Sequence, residues 1–245
     1  MKFVNNNLNK LIHIKLNKSL DLDITKRDIN EIKDITLINE DNNDLSDISL
    51  FHHIDNLSIK NYNINHDNYK NLRGRVINQI QFLNTNFLVE SKNIIACKKL
   101  ILENVKSIEH INFFNFFKDV THLSIIQNNL NLNDLVKYKK LKKIYLKNVD
   151  IKDLQLISNF KMLDTIILDD CNIQDYLIKD TNIINFITPN IKNIIIAEDD
   201  LSDYDIIRIK DTFDTYIHKN HIDNIHIEII NTLKGNTLKF NQLMI

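Results

Sequence analysis

A short apolar phrase recurs along this chain, spaced Φ-x-x-Φ-x-Φ, where Φ is apolar. Its copies begin at Leu11, Ile32, Ile54, Ile77, Cys97, Val120, Leu141, Leu163, Ile191 and Ile222. Starts fall about 20 to 23 residues apart as far as Leu163, then about 28 and 31 apart. The clearest copy runs from Leu141 to Leu163. Leu141, Ile144 and Leu146 open it, and Val149, Ile151, Leu154, Ile157 and Phe160 carry the pattern to Leu163. The opening phrase predicts a short strand. The remainder steps by three, as do Ile48/Phe51/Ile54, Ile108/Ile111/Phe114/Phe117/Val120 and Leu132/Leu135/Tyr138/Leu141. A period of three suits 3₁₀ turns or short helices lying on a core. One such unit cannot bury its own apolar face, whereas stacked units share a continuous core.

The expected product is a single domain over residues 1–245: an Asn-rich N-terminal cap at 1–10, repeats at 11–232, and a C-terminal cap at 233–245. The tail around Gly235–Ile245 adds either a final edge strand, through Leu238 and Phe240, or a loose cap. Two connections differ from the rest. Ile173–Pro189 is longer, and Ser202–Asn220 reads as an amphipathic helix with Ile206, Ile209, Phe213 and Ile217 facing inward.

This pattern resembles the leucine-rich repeat (LRR) family in its short, 22-residue form, as in internalin-like and SDS22-like proteins. The resemblance spans roughly Leu11 to Ile230. It implies an α/β, right-handed leucine-rich-repeat solenoid, a horseshoe or arc. A parallel sheet of about ten strands would form the concave face, with 3₁₀ and short helical turns on the convex face. One departure stands out. The family places Asn or Cys at the ninth position, found here as Asn128 and Cys171, while the other copies hold Ser19, Glu40, Tyr62, Thr85, Val105, Val149, Asp199 and Ile230. Asn gathers one place earlier, at Asn39, Asn61, Asn84, Asn104 and Asn148, with Gln127 and Asp170 in the same column. Either this shifted column caps the turn after each strand, or the register slips by one and every side chain changes face.

Composition narrows the chemistry. Two glycines and one proline leave the turns to Asn and Asp, and two glycines cannot make a phosphate loop. A net charge of −1 exerts no general pull on nucleic acid or an anionic membrane, and neither is expected as a partner. No apolar run is long enough to span a bilayer and no signal peptide is seen, so a cytoplasmic, intracellular protein is expected. Cys97 and Cys171 fall on apolar positions and read as buried, reduced thiols, too far apart for a disulfide. His218, His221 and His226, with Glu228, form the best histidine cluster, but its spacing suits no standard metal site. These, with His52, His53 and His122, read as surface groups. No cofactor, metal or catalytic residue is expected, and the protein is read as a non-enzyme and a monomer.

The remaining candidates lie on the outward side of the strands. The residue between the second and third anchors gives a central column: Lys15, Thr36, Ser58, Gln81, Ile101, Ser124, Tyr145, Ile167, Ile195 and His226. Two places earlier lie His13, Asp34, Asn56, Gln79, Lys99, His122, Lys143, Thr165, Asn193 and Asn224. Exposed apolar residues ringed by polar ones suit an interface core. Ile101, His122, Ser124, Lys143, Tyr145, Thr165, Ile167 and Ile195 are therefore the expected protein-binding residues. The alternative role is a structural or regulatory subunit that tethers or inhibits an enzyme through its convex turns or C-terminal helix. The lysines at 137, 139, 140, 142, 143 and 147 read as cross-strand partners of the next copy, Lys142 with Asp164 and Lys147 with Asp169; docking of an acidic partner or phosphates is the other reading. Phe113 and Phe116 fall off the core period and read as packed between the convex turns, with a small contact site as the alternative.

Overall fold

The computed structural model describes residues 2–40, 43–89, 94–106, 113–128, 130–151, 154–171, 173, 186–199 and 201–232. Ile108 and Ile111, most of the connection Ile173–Pro189, and the tail at 233–245 lie outside them. The chain divides into two compact units, residues 1–120 and 121–245.

The first unit opens with a helix, α1 (Asn6–Lys15), followed by α2 (Lys26–Asn30). Strands β1 (Asp34–Ile38), β2 (Asn56–Lys60), β4 (Val76–Leu83) and β6 (Ile95–Glu103) then lie side by side, all parallel. On the return path β3 (Asn63–Ile64) pairs with β5 (Asn86–Phe87), and between them sits α3 (His66–Tyr69). A two-residue strand, β7 (Phe117–Lys118), pairs with the start of β6. The second unit stacks β8 (His122–Ile126), β9 (Lys143–Lys147), β10 (Thr165–Asp169), β11 (Asn193–Glu198) and β12 (His226–Asn231), again all parallel. The helix α4 (Asp203–Lys219) connects the last two. 3₁₀ turns fill the returns at Ser46–Leu50, Phe113–Phe116, Leu132–Leu135 and Leu154–Asn159. These are turns of a right-handed, leucine-rich-repeat-type α/β solenoid.

The anchors set the register. Ile35 pairs with Leu57, Leu57 with Ile80, and Ile80 with Leu100. In the second unit Leu123, Ile144, Ile166 and Ile194 align in the same way. All are buried, as are the three-step residues of the returns, Ile48, Phe51, Leu132, Leu135, Leu154, Ile157 and Phe160. Phe113 and Phe116 are buried as well. With Phe82, Phe87, Phe117 and Tyr69 they form an aromatic cluster whose closest ring centroids are 4.9 Å apart, in edge-on contacts.

From Asn61 to Asp170 the shifted column is the device that ends the strand. Asn61, Asn84, Asn104, Gln127, Asn148 and Asp170 all adopt the left-handed conformation, with φ between 48° and 62°. Five of them donate their N–H to the neighbouring rung: Asn61 to Leu83 O, Asn84 to Glu103 O, Gln127 to Lys147 O, Asn148 to Asp169 O, and Asp170 to Ala197 O, at 2.8–3.0 Å. The left-handed turn then sends the next side chain inward, so Tyr62, Thr85, Val105, Asn128, Val149 and Cys171 are buried. No register slip occurs. Asparagine tolerates this conformation better than other non-glycine residues because its short amide bonds locally. In the first unit the exposed amides also touch each other, Asn104 Nδ2 to Asn84 Oδ1 at 2.8 Å and Asn84 Nδ2 to Asn61 Oδ1 at 3.3 Å.

Both ends of the repeat series depart from expectation. The phrase at Leu11 is helix, not strand. Asn5 caps it by accepting from the Leu8 N–H, and Leu8 and Ile12, one turn apart, are buried. Ile14, an expected anchor, is 73% exposed. The helix is tied down by Asp47, which accepts from the Val4 and Asn5 N–H groups at 2.7–3.1 Å, and by Asn5 Nδ2, which donates to Ile38 O and Tyr62 Oη. At the other end Ile194 pairs with Ile227, not Ile225. The last rung is therefore offset by two residues, because His221 and Asn224 take left-handed turns after α4 and delay the strand to His226. The helix itself is as expected: Ser202 and Asp205 form a capping box, Ile209 and Phe213 are buried, and Ile206 and Ile217 are partly so.

A β-branched residue has no local bond to offset its clash in a left-handed turn. Asn148→Val should lower the unfolding free energy by about 1–2 kcal/mol, whereas Asn148→Gly should stay within about 0.5 kcal/mol of the parent. Urea unfolding of the two variants checks this.

A candidate binding face on the strands

Strand geometry puts alternate side chains on opposite faces. With Leu123, Ile144, Ile166 and Ile194 in the core, the outer face of the second unit presents three columns. The first holds His122, Lys143, Thr165, Asn193 and His226. The second holds Ser124, Tyr145, Ile167, Ile195 and Glu228. The third holds Ile126, Lys147, Asp169, Ala197 and Ile230. Glu228, not His226, thus ends the central column, and His226 replaces Asn224 in the first.

The expected site residues separate by burial. His122, Ser124, Lys143 and Thr165 are partly exposed. Tyr145, Ile167 and Ile195 were expected to be exposed, but their relative accessibilities are 3%, 1% and 4%. They pack with Ala197 and Ile230, and Ile126 lies against them, in an apolar cluster on the side of the sheet away from the main core. Ile101 belongs to the first unit. There the outer face is polar: Ser58 donates to Gln81 at 3.1 Å, Asn56 to Asp34 at 2.6 Å, and Ile101 is partly exposed.

A polar group borders the cluster. Asp169, 1% exposed, accepts from Tyr145 Oη at 2.7 Å and from Lys147 Nζ at 2.9 Å through the same oxygen, Oδ2. Its Oδ1 is buried and meets no donor among the described residues. Burial, and then the bond to the Asp169 carboxylate, hold the Tyr145 hydroxyl far above the ordinary tyrosine range. Burial draws the Lys147 ammonium down, but the bond to Asp169 and the charges of Asp169, Asp170 and Asp199 outweigh it and leave the group raised. Asp170 is also raised, by burial and then by the charges of Asp169 and Asp199. Spacing had flagged Lys147 beside Asp169, and that pair forms. Lys142 and Asp164 instead meet through the backbone, Asp164 N–H to Lys142 O at 2.9 Å. The diagonal bond from Tyr145 to Asp169 on the next strand was not foreseen; an aromatic hydroxyl and a carboxylate on adjacent rungs was its only signal.

The other candidates are placed as follows. Cys97 and Cys171 are free, buried thiols, both pushed up to about 12 by burial, and such thiols are inert. His52, His53, His218, His221 and His226 are exposed. His53 Nε2 lies 2.9 Å from Asp55 and His226 Nε2 3.9 Å from Glu228. Among the described residues no group of three or more His, Cys, Asp or Glu side chains could hold a metal ion. No described helix is long and apolar enough to cross a membrane.

No family model matches the sequence, and no curated protein matches it. Among solved structures, the chain is similar to internalin C2 of Listeria monocytogenes at 16% identity, over 68% of this chain and 84% of that one, with a TM-score of 0.43. It is similar to an internalin F of the same organism at 12% identity, over 93% and 91% of the two chains, with a TM-score of 0.29. The repeat architecture stands on the strand register and left-handed turns of this chain.

Burial of tyrosine hydroxyls makes stability depend on alkaline pH. Tyr145 is raised, and Tyr62 is pushed up to about 12, chiefly by burial. A hydroxyl whose folded value exceeds its unfolded value of about 10 stabilises the fold fully below pH 10 and loses that contribution above it. Unfolding free energy should fall by up to about 1.4 kcal/mol per pH unit per tyrosine above pH 10. Tyr145→Phe should flatten that fall by one tyrosine's share. Urea unfolding at pH 8 through 11 measures both slopes.

Proposed function

We propose that this protein is a non-enzymatic protein–protein interaction module of the short internalin-like/SDS22-like repeat type, holding a partner protein on the outer strand face. What supports the reading is the row of partly exposed side chains, His122, Ser124, Lys143 and Thr165, on the side of the sheet that the repeat core does not use. Tyr145, Ile167 and Ile195, buried on that same side, give the row a packed apolar support. Ile101 is the corresponding proposed contact in the first unit. The second reading, a tethering or inhibitory subunit working through α4, has its own observation: Tyr204 and Ile207 on that helix are exposed.

The test uses a photo-crosslinking amino acid placed at Ser124, at Ser158 on a return turn, or at Tyr204 on α4. Capture of one partner from Ser124 alone is expected, and Lys143→Glu should then weaken that partner's affinity at least tenfold. Capture from Tyr204 with Ser124 silent, or an unchanged affinity in Lys143→Glu, would replace this reading with the tethering one.

A further inference from the structure

Among the described residues seven large apolar side chains are more than half exposed, and five of them gather in two places. Ile14, Leu20 and Leu22 lie on the last turn of α1 and in the loop that follows it. Tyr204 and Ile207 lie one turn apart on α4. Single exposed apolar residues are ordinary, whereas grouped ones mark a contact. Neither group belongs to a strand.

Charge separates the two groups. α1 has no acidic side chain. Lys10 lies one turn before Ile14, and Lys15, which donates to Asp34 O, directly follows it. Lys26 and Arg27 are exposed at the start of α2. Asp21 and Asp23 flank Leu22, and Lys18 is held by Asp28 at 2.7 Å. Over residues 2–33 seven lysine and arginine side chains stand against four acidic ones, so this end is basic. α4 is the reverse. Asp203 and Asp211 lie one turn to either side of Ile207, with Asp214 a turn further on, and all three are exposed. Arg208 lies over the Tyr204 ring, 5.7 Å from its centroid, and Lys210 is exposed beside Ile209. Residues 198–214 hold seven acidic side chains and two basic ones, so this stretch is acidic.

We propose that this protein associates with a second copy of itself, the Ile14, Leu20 and Leu22 patch of one copy seated on Tyr204 and Ile207 of α4 in the next. Lys10 and Lys15 then face Asp203, Asp211 and Asp214, and Arg208 faces Asp21 and Asp23. Each patch is complementary to the other in charge and neither is complementary to itself. Like charges keep α1 from pairing with α1, and α4 with α4. An apolar centre with tyrosine and arginine inside a charged rim has the make-up of a protein contact. Because the two patches differ, the contact is head-to-tail. The inference goes beyond the partner reading, since it uses neither Ser124 nor Lys143 and leaves the outer strand face to a different protein. A crosslink from Tyr204 to a second copy has the mass of two chains, which tells it apart from capture of another protein.

Sedimentation velocity of the full chain tests this from about 1 μM to about 1 mM, the range in which a small interface assembles. The average mass should rise with concentration and fall back at high salt. Ile14→Asp and Ile207→Asp, both at exposed positions, should each remain a single chain across the range. Mixed in equal amounts they should form a complex of two chains and nothing larger, because one variant keeps a sound α4 patch and the other a sound α1 patch. Met162→Asp, exposed on a return turn, and Lys143→Glu should associate like the parent, so this contact and the strand-face reading fail separately. A parent that stays a single chain would overturn the proposal. So would a mixture that stays unassociated, or a single variant that still associates, which would assign the contact to a surface paired with itself.

Discussion

Six strands of this protein end on a backbone conformation that most residues avoid, with φ near +50° to +60°. In five of them that residue gives its N–H to the neighbouring rung before the chain turns back over the core. Glycine is the easy solution, yet the whole chain has two. Asn, with Gln127 and Asp170, does the work instead. A cost of about 1 kcal/mol at each such site is offset by the backbone bond that the turn completes and by the apolar or small residue it delivers to the core. This also explains the ninth position. There a tyrosine, a threonine, two valines, an asparagine and a cysteine are equally acceptable, because the position needs only to fit a buried space. The turn chemistry lies one residue earlier.

Much of the architecture was therefore legible from periodicity. From Ile32 to Ile196 the anchors repeat and are core residues, and from Asn61 to Asn148 the column that carries Asn is the column that turns. Legibility failed where local and stacking terms compete. At Leu11 the apolar phrase is present, but Asn5 supplies a helix cap and Leu8 and Ile12 supply a buried helical face, so local helix preference wins. At Ile222 the phrase arises from isoleucine abundance. The two left-handed residues after α4 consume the chain that the phrase would have used, and the rung forms two residues later on Ile227 and Ile229.

The outer face shows the same limit in another form. Sequence spacing placed Tyr145, Ile167 and Ile195 in one column correctly, since column membership follows from period two. Exposure does not follow from period two, because it depends on what lies above the sheet. Burial of these residues, and the convergence of Tyr145 and Lys147 on a single oxygen of Asp169, are tertiary facts with no local signature. The lysine-rich run illustrates the distinction. Lys147 has a partner one rung on because both side chains point outward from paired positions, whereas Lys142 and Asp164 precede their strands and share only a backbone bond.

Asp169 brings these strands of argument together. Burying a carboxylate costs free energy that only well-placed donors offset. Tyr145 Oη and Lys147 Nζ both reach Asp169 Oδ2 from the neighbouring strand, so the acid ties two side chains of one rung to the next. Apolar stacking of the repeats does not call for such a group. It sits at the edge of the cluster of Tyr145, Ile167 and Ile195 and holds the tyrosine ring within it, where an apolar neighbour would supply packing but no bond to the hydroxyl.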